Sequence, residues 1–301
     1  LLANNVGKGE FYMRKIAKIM AITMLLSMFT ASFAWADGQS VAISEAISGA
    51  PPGSEGTVLS PVITAGGQDQ TSQNGGPGAS AGEEQETQET QTTSAGRTID
   101  PSKPMVALTF DDGPQTSVGN QIMDCLAQYG GKATFFMVGE RVAAHATEVR
   151  RMVSEGHEVA NHTMNHKYLH KLGAAEIQSQ VNSCNDAIQS VCGVRPTLMR
   201  LPGGNHNATV LANTGMPMIQ WNIDTLDWKT RNTASTVSTV LNNVKDGDIV
   251  LMHELYTATG NAAVQIIPEL VNRGYQLVTV SEMAAAKGYS LEAGKLYSSF
   301  K

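Results

Sequence analysis

The sequence has no excess of positive charge, no cysteine framework and no apolar run long enough to cross a bilayer as one helix. Lysine and arginine number 21 against 27 aspartate and glutamate, a formal net charge of −6. That balance excludes the binders whose affinity comes from neutralising phosphates, so nucleic acid is not expected as a partner. There are only three cysteines, Cys125, Cys184 and Cys192. Three cannot build a disulfide scaffold, and an odd number leaves at least one unpaired in a monomer, the expected oligomeric state. Cys184 and Cys192 can pair only if no continuous helix joins them, because eight helical residues hold them about 12 Å apart.

The most apolar stretch runs from Ile19 to Phe33, behind the positive flank Met13-Arg14-Lys15. It falls short of the roughly 20 residues of a spanning helix. Ala34-Trp35-Ala36 has the small-x-small form of a cleavage site, so residues 1–36 read as an upstream extension plus a signal peptide starting at Met13. Secretion, to the extracellular space or the cell envelope, is the expectation. Uncleaved, the same segment would be the chain's one membrane contact. Residues 37–98 lack large apolar side chains almost entirely after Ile63 and are rich in Gly, Ser, Gln and Glu. Such a segment cannot bury enough surface to offset the entropy of ordering it, and is read as a disordered linker.

Residues 99–301 carry the pattern of one folded domain. Apolar runs at Met105–Phe110, Ala133–Val138, Glu158–Ala160, Thr197–Arg200, Met218–Trp221, Asp248–Met252 and Gln276–Val280 read as strands. Helical spacing separates them over Asn120–Tyr129, Arg141–Ser154, Ala174–Val191, Ala234–Val244 and Ala262–Arg273. Strands alternating with helices predict an α/β fold, a distorted (β/α) barrel of about seven parallel strands. In such barrels the chemistry collects at the C-terminal ends of the strands.

Five segments at those ends carry reactive side chains. Asp111-Asp112-Gly113-Pro114 puts two carboxylates at the edge of a core, which is costly unless a cation compensates; alone, it could equally be a turn before a helix. His162 and His166 are spaced i, i+4, so on a helical turn they share one face and can grip one cation. Arg200, before Leu201-Pro202-Gly203-Gly204, can pair with a carboxylate on the same rim. Asp227-Trp228 follows a strand, and His253 ends the apolar run Ile249–Met252. His145, His157, His170 and His206 have no matching partners and read as surface or structural histidines. Together the five segments hold the parts for metal-assisted hydrolysis of an acyl group.

In order, spacing and residue type the five segments resemble the motifs of the NodB-homology polysaccharide deacetylases, carbohydrate esterase family 4, over about Pro101 to Tyr289. The resemblance implies Asp111 as general base, with Asp112, His162 and His166 as ligands of a divalent metal, Zn²⁺ before Co²⁺ or similar ions. It implies that Arg200 orients Asp111, that the Gly203 backbone N–H stabilises the oxyanion, and that Asp227 tunes the general acid His253. Trp228 and Leu251 would line the acetyl pocket. The implied substrate is an acetylated polysaccharide, N-acetylated as in peptidoglycan or chitin, with O-acetylated xylan as the alternative. A non-catalytic glycan-binding domain would have lost one of these residues, and none is lost. One departure stands out: many members carry an aromatic residue, commonly Tyr, where this chain has Gly203. The backbone N–H survives that change; the ring beside the substrate does not.

Overall fold

The computed structural model describes residues 97–301 and the backbone of the two-residue strand β1 (Gln91–Thr92), which pairs antiparallel with β2 (Thr98–Ile99). The signal-peptide reading, and all but the end of the linker reading, fall outside the described residues. Among those described, no helix is long and apolar enough to cross a membrane.

Eight further strands follow: β3 (Met105–Asp111), β4 (Thr134–Met137), β5 (Glu158–Asn161), β6 (Met218–Ile219), β7 (Ile223–Asp224), β8 (Asp248–His253), β9 (Gln276–Leu277) and β10 (Leu296–Tyr297). The central sheet runs β5-β4-β3-β8-β7, and β9 pairs with the start of β3; every pair is parallel. β3 is buried along its whole length because both of its faces are covered. Val106, Leu108 and Phe110 face the helices, packing with Ile122, Leu126 and Ile266. Met105 and Ala107 face inward, toward Phe136, Ala160 and Ile249. Fully burying one such side chain contributes about 1.5–3 kcal/mol.

Beyond β5 the sheet continues through single bridges, Asn161 to Met199 and Met199 to Met218. The segment from β6 to β7 then bends back, and Ile223 pairs with Val250 of β8. One short segment thus touches both ends of the sheet and closes it into a distorted barrel. The predicted strand Thr197–Arg200 shrinks to that bridge at Met199, because Pro196 and Pro202 flank it and proline gives no N–H to a ladder. The predicted strand Gln276–Val280 ends at Leu277. Thr279 and Glu282 form a capping box there, and a helix starts at Val280.

The helix Thr116–Gln128 buries Val118, Ile122 and Leu126, four residues apart, and Gln115 caps it by accepting from Val118 N. The predicted helix Arg141–Ser154 is broken into Gly139–Val142, a 3₁₀ turn and Ala146–Ser154. The helix Ala174–Cys192 buries Ile177, Val181, Cys184 and Ile188 and stops at Gly193, whose φ of 76° suits glycine. Cys184 and Cys192 lie on that one helix, and all three cysteines are free.

Candidate active site

Asp111 is the last residue of β3 and lies in register with His253, the last of β8. The next residue, Asp112, has a φ of 69°, a left-handed conformation, and the two carboxylates meet at His162 Nε2, Asp111 Oδ2 at 3.7 Å and Asp112 Oδ1 at 3.3 Å. Asp111 is almost fully buried, and its Oδ1 accepts from Arg200 Nη1 at 2.7 Å. Arg200 has no exposed surface. It also donates to Thr109 Oγ1 at 2.7 Å, to Ile219 O at 3.1 Å and to Gln220 O at 3.0 Å. Its guanidinium lies 4.1 Å from the Phe136 ring centroid. A buried ion pair stabilises only when its remaining donors are satisfied, and here protein carbonyls and a hydroxyl do that.

The predicted helical turn at His162–His166 is a loop. Thr163 and His166 have φ of 68° and 58°, so the two imidazoles converge through left-handed turns and not through helical stacking. Asn161, to which the sequence reading gave no role, holds the loop: its Oδ1 accepts from Thr163 N at 2.7 Å and its Nδ2 donates to Val181 O at 2.9 Å. Gly139 N and Glu140 N donate to Thr163 O and Met164 O. His162 Nδ1 lies 2.8 Å from Arg200 O, which can only accept. In the neutral ring the proton therefore sits on Nδ1, which leaves Nε2 the lone pair a ligand needs.

That Nε2 lies 3.3 Å from Asp112 Oδ1, and His166 Nε2 lies 3.2 Å from the same oxygen. Asp112 Oδ1 is buried and has no hydrogen-bond partner. Ligand bonds of about 2.1 Å at tetrahedral angles put neighbouring donors about 3.4 Å apart, so the cluster fits a divalent cation in size and in chemistry. Burial works to raise Asp112, but His162 and His166 hold it well below the usual carboxylate range. Asp112 in turn raises His166 above the ordinary imidazole value, against burial.

His253 is held from behind. Its Nδ1 lies 2.8 Å from Asp227 Oδ1, and its backbone N donates to Asp227 Oδ2 at 2.8 Å. Trp228 N and Thr259 Oγ1 also donate to Asp227, at 2.8 and 2.6 Å. Burial would raise Asp227, but these donors keep it lowered and ionised. Burial likewise works to lower His253, and the carboxylates of Asp227, Asp111 and Asp112 together raise it. Sequence reasoning missed Thr259, a single hydroxyl near the start of a helix, with no pattern to mark it.

Five predicted residues are thus joined by direct polar contacts or by the metal-sized cluster, Asp111, Asp112, His162, His166 and Arg200; Asp227 and His253 pair with each other, and the β3–β8 register sets His253 beside Asp111. The other three flank them. Leu251 is buried two residues before His253, and Trp228 is 46% exposed. Gly203 has a φ of 65°, and a Cβ there would lie 2.7 Å from Tyr168 Cε1. Tyr168 therefore occupies the space over Gly203, with its ring centroid 6.3 Å from that of His166. His157 is structural: it is buried, its Nδ1 accepts from Ala133 N at 3.2 Å, and burial pushes it down to about 3.

A family model described as polysaccharide deacetylase matches residues 98–219. The peptidoglycan-N-acetylmuramic acid deacetylase PdaC of Bacillus subtilis is 42% identical over 190 residues, which cover 63% of this chain and 41% of that protein. Its solved structure matches with a TM-score of 0.62 and 42% identity, covering 63% of this chain and 94% of that one. A peptidoglycan-N-acetylglucosamine deacetylase of Bacillus cereus is 37% identical over 191 residues, 61% of this chain and 89% of that protein. A family 4 acetyl xylan esterase from Clostridium thermocellum, solved with a cobalt ion, has a TM-score of 0.62 at 33% identity, covering 65% of this chain and 98% of that one. The chain spans about two fifths of the length of PdaC and of the Listeria monocytogenes relatives named PgdA, 41% in each case. With the fold, the strand-end motifs and these matches in agreement, the chain belongs to the NodB-homology polysaccharide deacetylases of carbohydrate esterase family 4.

Proposed function

We propose that residues 99–301 form a metal-dependent hydrolase that removes N-acetyl groups from an amino-sugar polysaccharide at the cell envelope and releases acetate. One observation carries the reading most directly. A buried carboxylate oxygen with no hydrogen-bond partner faces two imidazole nitrogens at 3.2–3.3 Å, beside a second carboxylate held by a buried arginine. A structural site would have satisfied that oxygen with protein donors.

Asp112, His162 and His166 would hold the cation, Zn²⁺ first and Co²⁺ as a working substitute. Bound there, it would supply Lewis acidity toward the acetyl carbonyl and toward water. Asp111, oriented by Arg200, accepts a proton from the attacking water. The water oxygen bonds to the acetyl carbon, and the Gly203 backbone N–H faces the developing oxyanion. His253, protonated and oriented by Asp227, gives its proton to the amide nitrogen as the C–N bond breaks. Acetate and a free amino sugar result. Leu251 and Trp228 border the acetyl methyl.

The names of the peptidoglycan deacetylases favour an N-acetylated wall glycan, and the likeness to the xylan esterase makes an O-acetyl ester the competing substrate. Acetate release from peptidoglycan, chitooligosaccharides and acetylated xylan, each with and without chelator, tests both. Chelator-sensitive release from an N-acetylated glycan is expected. Release that survives thorough metal removal overturns the mechanism, and release from xylan alone overturns the substrate.

A further inference from the structure

Glu254 follows His253 and has no exposed surface. Its backbone N donates to Asp111 O at 2.9 Å, and its Oε1 accepts from Gln115 N at 2.9 Å. It therefore bonds to both ends of the turn that carries Asp111 and Asp112. Two glycines make room for it. A Cβ on Gly113 would lie 1.9 Å from Glu254 Oε2, and one on Gly119 would lie 2.3 Å from Oε1. Oε2 is buried with no partner, which is costly for an ionised carboxylate and much less so for a neutral acid. Burial pushes this carboxyl up to about 8; the Gln115 N–H and Arg141 oppose the rise, and Glu148 adds to it. An acid that is neutral at neutral pH can be matched in shape and hydrogen bonding by glutamine.

We propose that Glu254 is a positioning residue: its side chain ties the Gln115 end of the turn to the end of β8, where its backbone N–H already holds the Asp111 end, and so fixes Asp111 and Asp112 relative to His253. The metal arm of the test rests only on the Asp112 cluster, and the turnover arm rests on the proposed deacetylation.

The full chain, freed of metal, is titrated with Co²⁺ as wild type, Glu254→Gln, Glu254→Ala and the double variant Gly119→Ala/Glu254→Ala. Glu254→Gln should bind within about threefold of wild type, and Glu254→Ala about tenfold or more weakly, in the range of lost supporting contacts at metal sites. The double variant refills the space without restoring the bond to Gln115, so it should stay weak. In the turnover arm Glu254→Ala should lose about tenfold or more in kcat, with KM within about threefold, as misplaced reacting groups do. Unchanged Co²⁺ affinity in Glu254→Ala overturns the proposal. So does recovery in the double variant, which would make the residue a space-filler, and so does an equal loss in Glu254→Gln. If Glu254→Ala fails to fold, Glu254→Asp, one methylene too short for Gln115, takes its place with the same expected loss. Absence of acetate release from the wild type, with the Co²⁺ pattern intact, would sink the proposed function and leave this inference standing.

Discussion

The two histidine stations of the site are built on opposite plans. At His253, the protein completes everything: Asp227 accepts from His253, Trp228 and Thr259, all within 2.8 Å. At Asp112, the protein stops short: Oδ1 has two imidazoles before it and no donor, and the His166 side chain is 41% exposed. The first plan orients a proton carrier, which needs a fixed tautomer and a steady field. The second gathers one carboxylate oxygen and two imidazole nitrogens at one point, a set that a divalent cation fits. In the proposed mechanism, location thus separates the group that moves protons from the group that holds the cation, although both contain His and Asp.

The comparison breaks most sharply through the open station. Asp112→Ala should abolish acetate release, a fall of about 10³-fold or more, and added Zn²⁺ or Co²⁺ should not rescue it, whereas chelated wild type should recover. Metal content measured beside activity checks this. Asp227→Asn should cost about 10²–10⁴-fold in kcat, the scale of lost general acid catalysis, with metal content unchanged. Loss of metal in that variant would show that the stations are not separate.

The pH profile sharpens the contrast further. His166 is raised by Asp112, so it takes up a proton as pH falls through its elevated pKa. Protonated imidazole cannot ligate, so metal affinity should drop on the acid side. His253 is raised on balance, by Asp227 and the nearby carboxylates against burial, so its proton is present below its elevated pKa and lost as pH rises through it. Turnover should then fall on the alkaline side. Asp227→Asn should pull only the alkaline limb toward lower pH, and a shift of the acid limb in metal titrations would contradict the assignment. The smallest effect is expected for Thr259→Val, which removes one of four donors to Asp227. It should cost about 1.5–3 kcal/mol of stability, as hydrogen bonds to charged groups do, read from denaturant unfolding.

What the sequence made legible follows burial. β3 and β8 are covered on both faces, so they appear as unbroken apolar runs. β6 and β9 are shorter than the runs Met218–Trp221 and Gln276–Val280 that predict them, and β7 and β10, two residues each, are too short for any periodicity to register. The pairing of Arg200 with a rim carboxylate was readable because opposite charges at strand ends have few other places to go. The His162–His166 spacing pointed to a convergent pair through the wrong backbone: i, i+4 suggests a helix, and the loop reaches the same convergence through positive φ at Thr163 and His166. Asn161 and Thr259 could not have been found this way. Each is one polar residue whose value lies in where the fold brings its partner.

Arg200 also constrains how this site can change over generations. Its side chain fixes Asp111 while its backbone carbonyl fixes the His162 ring, 2.7 and 2.8 Å away respectively. In the proposed mechanism, losing the guanidinium would release Asp111 directly and, by removing the bonds to Ile219 O and Gln220 O that hold this segment, would loosen the carbonyl at His162 as well. Paired substitutions of Arg200 with Asp111 or His162 should therefore combine non-additively. Tyr168, 44% exposed on the rim and outside these bonds, should tolerate substitution more readily.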